Sequence, residues 1–116
     1  MTKISFIGAG KMASALISAI YKNKLADEII ASDRNEENLK KIKSQYKGIK
    51  TTKNNIEAIE NSDIVFICVK PQDIDTVLNE IKGAIKNQLI VSIAAGVRIK
   101  DIELIRSKIF RISSPL

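Results

Sequence analysis

The chain has 116 residues, of which 45% are hydrophobic, and its 19 Lys and Arg residues against 13 Asp and Glu residues give a net charge of +6. This length fits one domain, in which about two thirds of the unfolded surface can be buried, so a core can form without disulfides. No apolar run reaches the roughly 18 residues of a membrane span, and Lys3 precedes a glycine turn instead of the apolar segment of a signal peptide. Cys68 is the single cysteine, which excludes an internal disulfide and favours a reducing, cytoplasmic compartment.

The excess of positive charge is concentrated in the middle of the sequence. The densest basic cluster comprises Lys40, Lys41, Lys43, Lys47, Lys50 and Lys53. Glutamates are interleaved with these lysines and no aromatic platform for base stacking accompanies them, so a solvated face is favoured over a nucleic-acid-binding surface. A cationic surface also attracts anionic nucleotides and substrates.

The most specific motif follows the first predicted strand, Lys3–Ile7, which runs into the pattern Gly8-x-Gly10-x-x-Ala13. Between a strand and an amphipathic helix, this pattern is typical of a dinucleotide-binding turn. Gly8 permits the tight turn, Gly10 lets the main chain approach a pyrophosphate, and Ala13 allows close packing of helix and strand. The free N–H groups and the positive dipole end of the new helix then face the phosphates.

Short apolar runs alternate with helical periodicity along the rest of the chain. Further strands are predicted at Glu28–Ser32, Ile49–Thr51, Ile64–Val69, Leu89–Ala94 and Ile109–Ile112. The first, second and fourth predicted helices carry apolar stripes, at Ala13, Leu16, Ile17 and Ile20; at Leu39, Ile42 and Tyr46; and at Ile74, Val77, Leu78, Ile81 and Ile85. Ile56 and Ile59 mark a short third helix, and Ile99, Ile102 and Ile105 mark a fifth. Asn35 is expected to cap the second helix.

The alternation of these elements predicts the fold class. Continuously apolar strands such as Ile64–Val69 are expected when helices cover both faces of a parallel sheet. Right-handed crossovers then give an α/β fold of the Rossmann type, with a doubly wound, mainly parallel six-stranded sheet and helices on both faces. No linker or internal repeat interrupts the pattern, so residues 1–116 are expected to form one dinucleotide-binding domain.

Asp33 and Arg34 follow the second predicted strand and point to different cofactors. Asp33 lies about 20 residues beyond the glycines, where an acidic side chain accepts hydrogen bonds from the ribose hydroxyls of NAD. Arg34 is suited instead to the 2′-phosphate of NADP. The Asp33 carboxylate would oppose that phosphate, because two like charges ~4 Å apart repel by about 4 kcal/mol per unit charge pair at an effective dielectric constant of ~20. A loop ion pair with helix capping is the alternative for both residues. The choice between NAD and NADP is left open.

Two further segments lie at the carboxyl ends of predicted strands, where ligands bind in such sheets. Lys70, within Val69–Pro71, lies either beside a nicotinamide or in solvent, and Pro71 starts the next helix. The three small residues of Ala94–Gly96 either let a flat ring approach the backbone or allow tight helix packing.

A catalytic centre is not evident in the sequence. Cys68 lies in an apolar strand and is interpreted as a small buried hydrophobic residue and not as a nucleophile. The chain has no histidine, which removes the commonest acid–base group and imidazole metal ligands. No cluster of carboxylates and thiols predicts a metal site either.

Four segments together carry a more particular signal, and they occur in this order: Ile4-Ser5-Phe6-Ile7-Gly8-Ala9-Gly10-Lys11-Met12-Ala13, Ser62-Asp63-Ile64-Val65-Phe66, Val69-Lys70-Pro71-Gln72 and Ile90-Val91-Ser92-Ile93-Ala94-Ala95-Gly96-Val97. They resemble the N-terminal domain of pyrroline-5-carboxylate reductases. The glycine motif is shared by many dehydrogenases, whereas the combination of the last two segments is much more particular to this family.

The resemblance implies hydride transfer from NAD(P)H to the C=N bond of 1-pyrroline-5-carboxylate, which gives L-proline in proline biosynthesis; NADPH is often favoured in the family. The implied cofactor-binding residues are Gly8, Ala9, Gly10, Lys11, Met12, Ala13, Ser32, Asp33, Arg34, Asn35, Val69, Lys70, Pro71, Ala94, Ala95 and Gly96. The family's helical second domain supplies the dimer interface and most of the substrate site, and catalytic residues are expected there. On this basis the full-length enzyme is expected to be a homo-oligomer, and this chain alone is expected to bind nucleotide without appreciable turnover.

The last residues depart from the family pattern. Ser113-Ser114-Pro115-Leu116 stands where the family continues with Met-Pro-Asn-Thr-Pro. Two alternatives to this family also stay open. One is another NADP-dependent oxidoreductase with a similar N-terminal domain, of the deazaflavin-dependent type, which the Val69-Lys70-Pro71 segment disfavours. The other is a free-standing nucleotide-binding module.

Overall fold

The computed structural model describes residues 2–93, and residues 111–113 as a strand. The elements are β1 (Lys3–Ile7), α1 (Lys11–Lys22), β2 (Glu28–Ser32), α2 (Glu36–Gln45), β3 (Lys50–Thr52), α3 (Asn55–Ile59), β4 (Ile64–Ile67), α4 (Ile74–Ile81), β5 (Leu89–Ser92) and β6 (Arg111–Ser113), with 3₁₀ turns at Pro71–Asp73 and Lys82–Ala84 on either side of α4. The predicted fifth helix and the small residues Ala94–Gly96 lie outside the described residues.

The strands form one parallel sheet in the order β3-β2-β1-β4-β5-β6. The chain moves outward from β1 to β3, returns through α3 to the other side of β1, and then moves outward again. The order therefore reverses between β1 and β4, and in such sheets the ligand crevice lies outside the carboxyl ends of the strands at this point. The prediction of a doubly wound, Rossmann-type α/β sheet is confirmed.

Successive side chains of a strand point to opposite faces of the sheet. Both faces of this sheet are therefore apolar, and helices cover both of them. In β1, Phe6 packs in a cluster with Ala13 and Ile17 of α1, whereas Ile7 packs in a second cluster with residues of α3 and α4. These side chains are almost fully buried, and each buried isoleucine contributes about 1.5–3 kcal/mol relative to an exposed one. The two apolar layers hold β1 at the centre of the sheet, so the turn that follows it has a fixed position.

The helices follow the predicted apolar stripes closely. All five stripe residues predicted around α4 are buried, although the last, Ile85, lies beyond the helix in extended backbone. Asn35 caps α2 as predicted, since its side-chain oxygen accepts a hydrogen bond from Glu37 N at 2.9 Å. In α3, however, Ile56 is 41% exposed, whereas Ala58 and Ile59 are 0% exposed. The short third helix that Ile56 and Ile59 mark is present as α3, but this five-residue helix reaches the core only with its final residues.

The bounds of β3, β4 and β5 also differ from the predicted ones, and β6 ends at Ser113, one residue beyond the predicted Ile112. The predicted strand Ile64–Val69 ends at Ile67, because its neighbour β1 ends at Ile7 and the following glycine turns away. Likewise, the described part of β5 ends at Ser92, opposite Ile67. The strand predicted at Ile49–Thr51 lies one residue later, where β3 pairs with the last three residues of β2. Pairing partners, which the local sequence does not specify, set these boundaries.

Candidate functional site

The glycine turn is positioned by the ends of three strands. Gly8 has φ +99°, a conformation that only glycine adopts without strain. Its N–H donates to the carbonyl oxygen of Ser32 at the end of β2 at 2.8 Å. A Cβ atom at Gly8 would lie 2.7 Å from the carbonyl oxygen of Cys68, directly after β4. Glycine is therefore required here by the protein's own backbone.

Gly10 has a different environment, because a Cβ atom placed on it would meet no atom within 4 Å among the described residues. It is the N-cap of α1, and no side chain caps the helix there. The first N–H groups of an α-helix have no partner within the helix. Lys11 occupies the first helical position, and the first turn carries no acidic residue. Open space, uncapped N–H groups and a cation together fit an anionic group such as a pyrophosphate.

Asp33 connects this turn to the second helix. Its Oδ2 accepts hydrogen bonds from Ala9 N at 2.9 Å and from Asn38 Nδ2 at 3.1 Å, and its Oδ1 accepts one from Asn35 N at 2.8 Å. The carboxylate thus accepts a hydrogen bond from the peptide unit that joins Gly8 and Ala9. The sequence pattern predicts Asp33 at this edge of the sheet but does not single out Asn38, which lies in the first turn of α2 and donates to Asp33.

The other predicted residues around the end of β2 point in different directions. Ser32 is fully buried, and its hydroxyl donates to Asn55 Oδ1. Asn55 in turn donates through Nδ2 to Glu80 Oε1 at 2.7 Å, so this chain of hydrogen bonds connects β2 with α3 and α4. Arg34 is exposed and forms no ion pair with the residues that the structure describes. Its guanidinium is therefore available to a ligand.

The segment after β4 lies beside the glycine turn. A Cβ atom at Gly8 would be 3.3 Å from Cγ1 of Val69, so Val69 borders the turn. Lys70 is exposed, and Pro71 begins the 3₁₀ turn in which Asp73 N donates to the carbonyl oxygen of Lys70 at 2.9 Å. The predicted residues from β1, β2 and β4 are thus brought together at one edge of the sheet.

Cys68 is buried in the cluster on the α1 face of the sheet. Burial raises the pKa of its thiol to about 12, because the thiolate loses its hydration there. A thiol in this state is not a nucleophile at neutral pH. Within residues 2–93 and 111–113, no group of three or more Cys, Asp or Glu residues is arranged to hold a metal ion. No helix in that same part of the chain has the length and apolar character needed to cross a membrane.

Comparison with known proteins assigns this fold and turn to a family. The family described as "NADP oxidoreductase coenzyme F420-dependent" matches residues 3–96. A curated relative, pyrroline-5-carboxylate reductase of Corynebacterium melassecola, is 38% identical over 108 residues, which cover 89% of this chain and 40% of the relative. The pyrroline-5-carboxylate reductase of Methanosarcina acetivorans is 40% identical over 104 residues, covering 87% of this chain and 38% of the relative.

Solved structures lead to the same family. The pyrroline-5-carboxylate reductase of Coxiella burnetii superposes with a TM-score of 0.87 at 31% identity, covering 97% of this chain and 43% of that one. The chain spans about two fifths of the length of the curated relatives that it matches. The chain belongs to the "NADP oxidoreductase coenzyme F420-dependent" family and corresponds to the N-terminal domain of pyrroline-5-carboxylate reductases.

Proposed function

We propose that this chain is the NAD(P)-binding domain of a pyrroline-5-carboxylate reductase, which reduces the C=N bond of 1-pyrroline-5-carboxylate to give L-proline. The observation that carries the proposal is the open space at Gly10, above the uncapped start of α1 and at the point where the strand order reverses. The relatives named above support it, as does the pyrroline carboxylate reductase of Plasmodium falciparum, which was solved with NADP bound and is 26% identical with a TM-score of 0.75, covering 90% of this chain and 37% of that one.

The chain's own residues bind and orient the dinucleotide in this proposal. The N–H groups that follow Gly10 hold the pyrophosphate, and Lys11 adds positive charge beside it. Arg34 is exposed at the adenosine end, where a 2′-phosphate would be bound. Val69 and Lys70 border the end of the crevice nearest β4 and β5. When bound there, the nicotinamide supplies the hydride.

Ser32 and Ala9, two of the predicted cofactor-binding residues, are already bonded within the protein. The side chain of Ser32 is fully buried and bonded to Asn55, and the N–H of Ala9 is already bonded to Asp33. We assign these two residues to the construction of the turn, with backbone proximity to the nucleotide. The remaining predicted residues between Gly8 and Pro71, except Asp33, whose carboxylate is bonded to Ala9, Asn35 and Asn38, keep their proposed roles as direct contacts or borders of the site.

The proposal extends to the complete enzyme. In this proposal the imino-acid substrate, the catalytic residues and the homo-oligomer interface belong to parts of the enzyme beyond this domain. We place the protein in the cytoplasm, where a free, buried thiol such as that of Cys68 stays reduced.

Nucleotide binding is tested with a matched pair of glycine variants. The unmodified chain is expected to change NADPH or NADH fluorescence saturably. Gly10→Val is expected to abolish the change, because the new side chain fills the space for the pyrophosphate. Gly83→Ala is the control, since a Cβ atom at Gly83 also meets nothing within 4 Å among the described residues. Failure of the unmodified chain to bind either nucleotide would contradict the proposal, as would equal binding by Gly10→Val.

The substrate is tested with the product of the complete gene. We expect oxidation of NADPH or NADH that depends on 1-pyrroline-5-carboxylate, with formation of proline. A second candidate reaction is favoured by the family description, which names the deazaflavin coenzyme F420. NADPH-dependent reduction of F420, without activity toward the imine, would favour this second candidate.

A further inference from the structure

We propose that Asp33 is a positioning residue, which holds the glycine turn in its phosphate-binding geometry for NADH and NADPH alike. This inference rests on the proposed nucleotide binding and adds a role for one carboxylate within it. It differs from the role expected from sequence, in which Asp33 reads the ribose hydroxyls and disfavours a 2′-phosphate.

Two consecutive residues at the end of β2 hold two consecutive N–H groups of the turn. The carbonyl oxygen of Ser32 accepts from Gly8 N at 2.8 Å, and Oδ2 of Asp33 accepts from Ala9 N at 2.9 Å. Ala9 is 4% exposed, and its N–H has no other partner among the described residues. The carboxylate of Asp33 therefore fixes the peptide unit that joins Gly8 and Ala9, on which the direction of the next N–H groups depends.

The carboxylate has little capacity left for a ribose. An ionised carboxylate offers about four acceptor positions. Oδ2 uses two of them for Ala9 and Asn38, and Oδ1 uses one for Asn35 N. One position on Oδ1 remains. A two-point contact with neighbouring ribose hydroxyls would require Asp33 to release a bond to its own chain.

An amide cannot replace this carboxylate, although it is similar in shape. Oδ1 and Oδ2 of Asp33 each accept a bond from a backbone N–H, of Asn35 and Ala9 respectively. The side chain of asparagine has one oxygen and one NH₂ group. In either orientation its NH₂ group would face a backbone N–H, so one of the two bonds is lost. A ribose hydroxyl, by contrast, can donate to or accept from an amide.

The Asp33→Asn variant therefore separates the two roles. We expect its affinities for NADH and NADPH to fall together, each by about tenfold, the scale of one lost hydrogen bond to a charged group. Asn38→Ala is the control, because it removes a bond to the same Oδ2 atom but leaves both backbone bonds; its affinities are expected to stay within about twofold of the unmodified chain. If Asp33→Asn weakened NADH alone, or left both affinities unchanged, the positioning role would be refuted.

A measurement on the unmodified chain covers the case in which the variant does not fold. The Ala9 amide proton is expected to exchange slowly with solvent in the absence of nucleotide, because Asp33 accepts its hydrogen bond. Rapid exchange of this proton, at the rate of an unprotected amide, would overturn the inference. The result is independent of nucleotide binding. A chain that bound neither NADH nor NADPH would contradict the proposed function, while the Ala9 exchange rate would still decide whether Asp33 holds the turn.

Discussion

A Cβ atom on Gly8 would lie 2.7 Å from the carbonyl oxygen of Cys68 and 2.9 Å from its carbonyl carbon. The backbone of Gly8, directly after β1, therefore packs against the backbone of Cys68, directly after β4. The order of the sheet reverses between these two strands. The packing is reinforced by the hydrogen bond from Cys68 N to the carbonyl oxygen of Ile7 at 2.7 Å. The base of the proposed nucleotide crevice is therefore backbone packed on backbone, with no room for a side chain.

Gly8→Ala is accordingly predicted to destabilise the fold. The variant combines a positive φ with a contact that real Cβ atoms do not make, and each effect costs about 1–3 kcal/mol. We expect urea unfolding to give a free energy of unfolding lower by about 2–6 kcal/mol, the sum of the two effects. Gly83→Ala, which places its methyl group in open space, is the control. A Gly8→Ala protein as stable as the Gly83→Ala protein would show that the backbone can move apart at this point.

The sequence predicts the order of the elements well because each depends on local patterns. Apolar runs and helical stripes identify β1 and α4, and the glycines after β1 identify the turn. The end of β4 at Ile67 depends on where β1 stops beside it, and this information is not local. The same limit applies to the site. The position of Asp33 follows from its spacing, but its bonds to Ala9 and Asn38 depend on how two loops pack.

The unequal burial of two isoleucines in α3 gives a second prediction. Ile59 is 0% exposed and Ile56 is 41% exposed. Ile59→Ala is expected to lower the free energy of unfolding by about 2–5 kcal/mol, because it leaves a cavity in the core. Ile56→Ala is expected to change it by about 0.5 kcal/mol or less. Denaturant unfolding of both variants checks this, and equal losses would mean that Ile56 is packed more tightly than its exposure indicates.

The buried thiol of Cys68 predicts a dependence of stability on pH. Its pKa in the folded protein is raised from an ordinary value of 9.0 to about 12. Above about pH 9 the unfolded chain therefore loses the thiol proton while the folded chain keeps it, so stability falls as the pH rises through this window. Below pH 9 the contribution is fully present and constant.

Comparison with Cys68→Ala isolates this contribution from other groups that titrate at high pH. We expect the difference in free energy of unfolding between the unmodified chain and Cys68→Ala to shrink from about pH 8 to about pH 10.5. The native thiol is also expected to react with alkylating reagents far more slowly than the same thiol in urea. Rapid alkylation of the native protein near pH 8 would contradict the burial of the Cys68 sulfur atom. So would a difference in free energy of unfolding that stays constant from about pH 8 to about pH 10.5.

Arg34 provides the test of cofactor preference that the sequence leaves open. Its side chain is exposed at the end of β2 and forms no ion pair with the residues described, so a 2′-phosphate would meet an uncommitted guanidinium. Arg34→Ala is expected to weaken NADPH binding by about tenfold or more, the scale of a lost charged hydrogen bond, and to leave NADH binding within about twofold. Lys82→Ala removes the same unit of charge directly after α4, far along the helix that leads away from the carboxyl ends of the strands. This variant is expected to change neither affinity. If both variants weakened NADPH equally, the effect would come from net charge and not from contact. If Arg34→Ala weakened NADH and NADPH alike, Arg34 would act on a part of the dinucleotide that the two cofactors share.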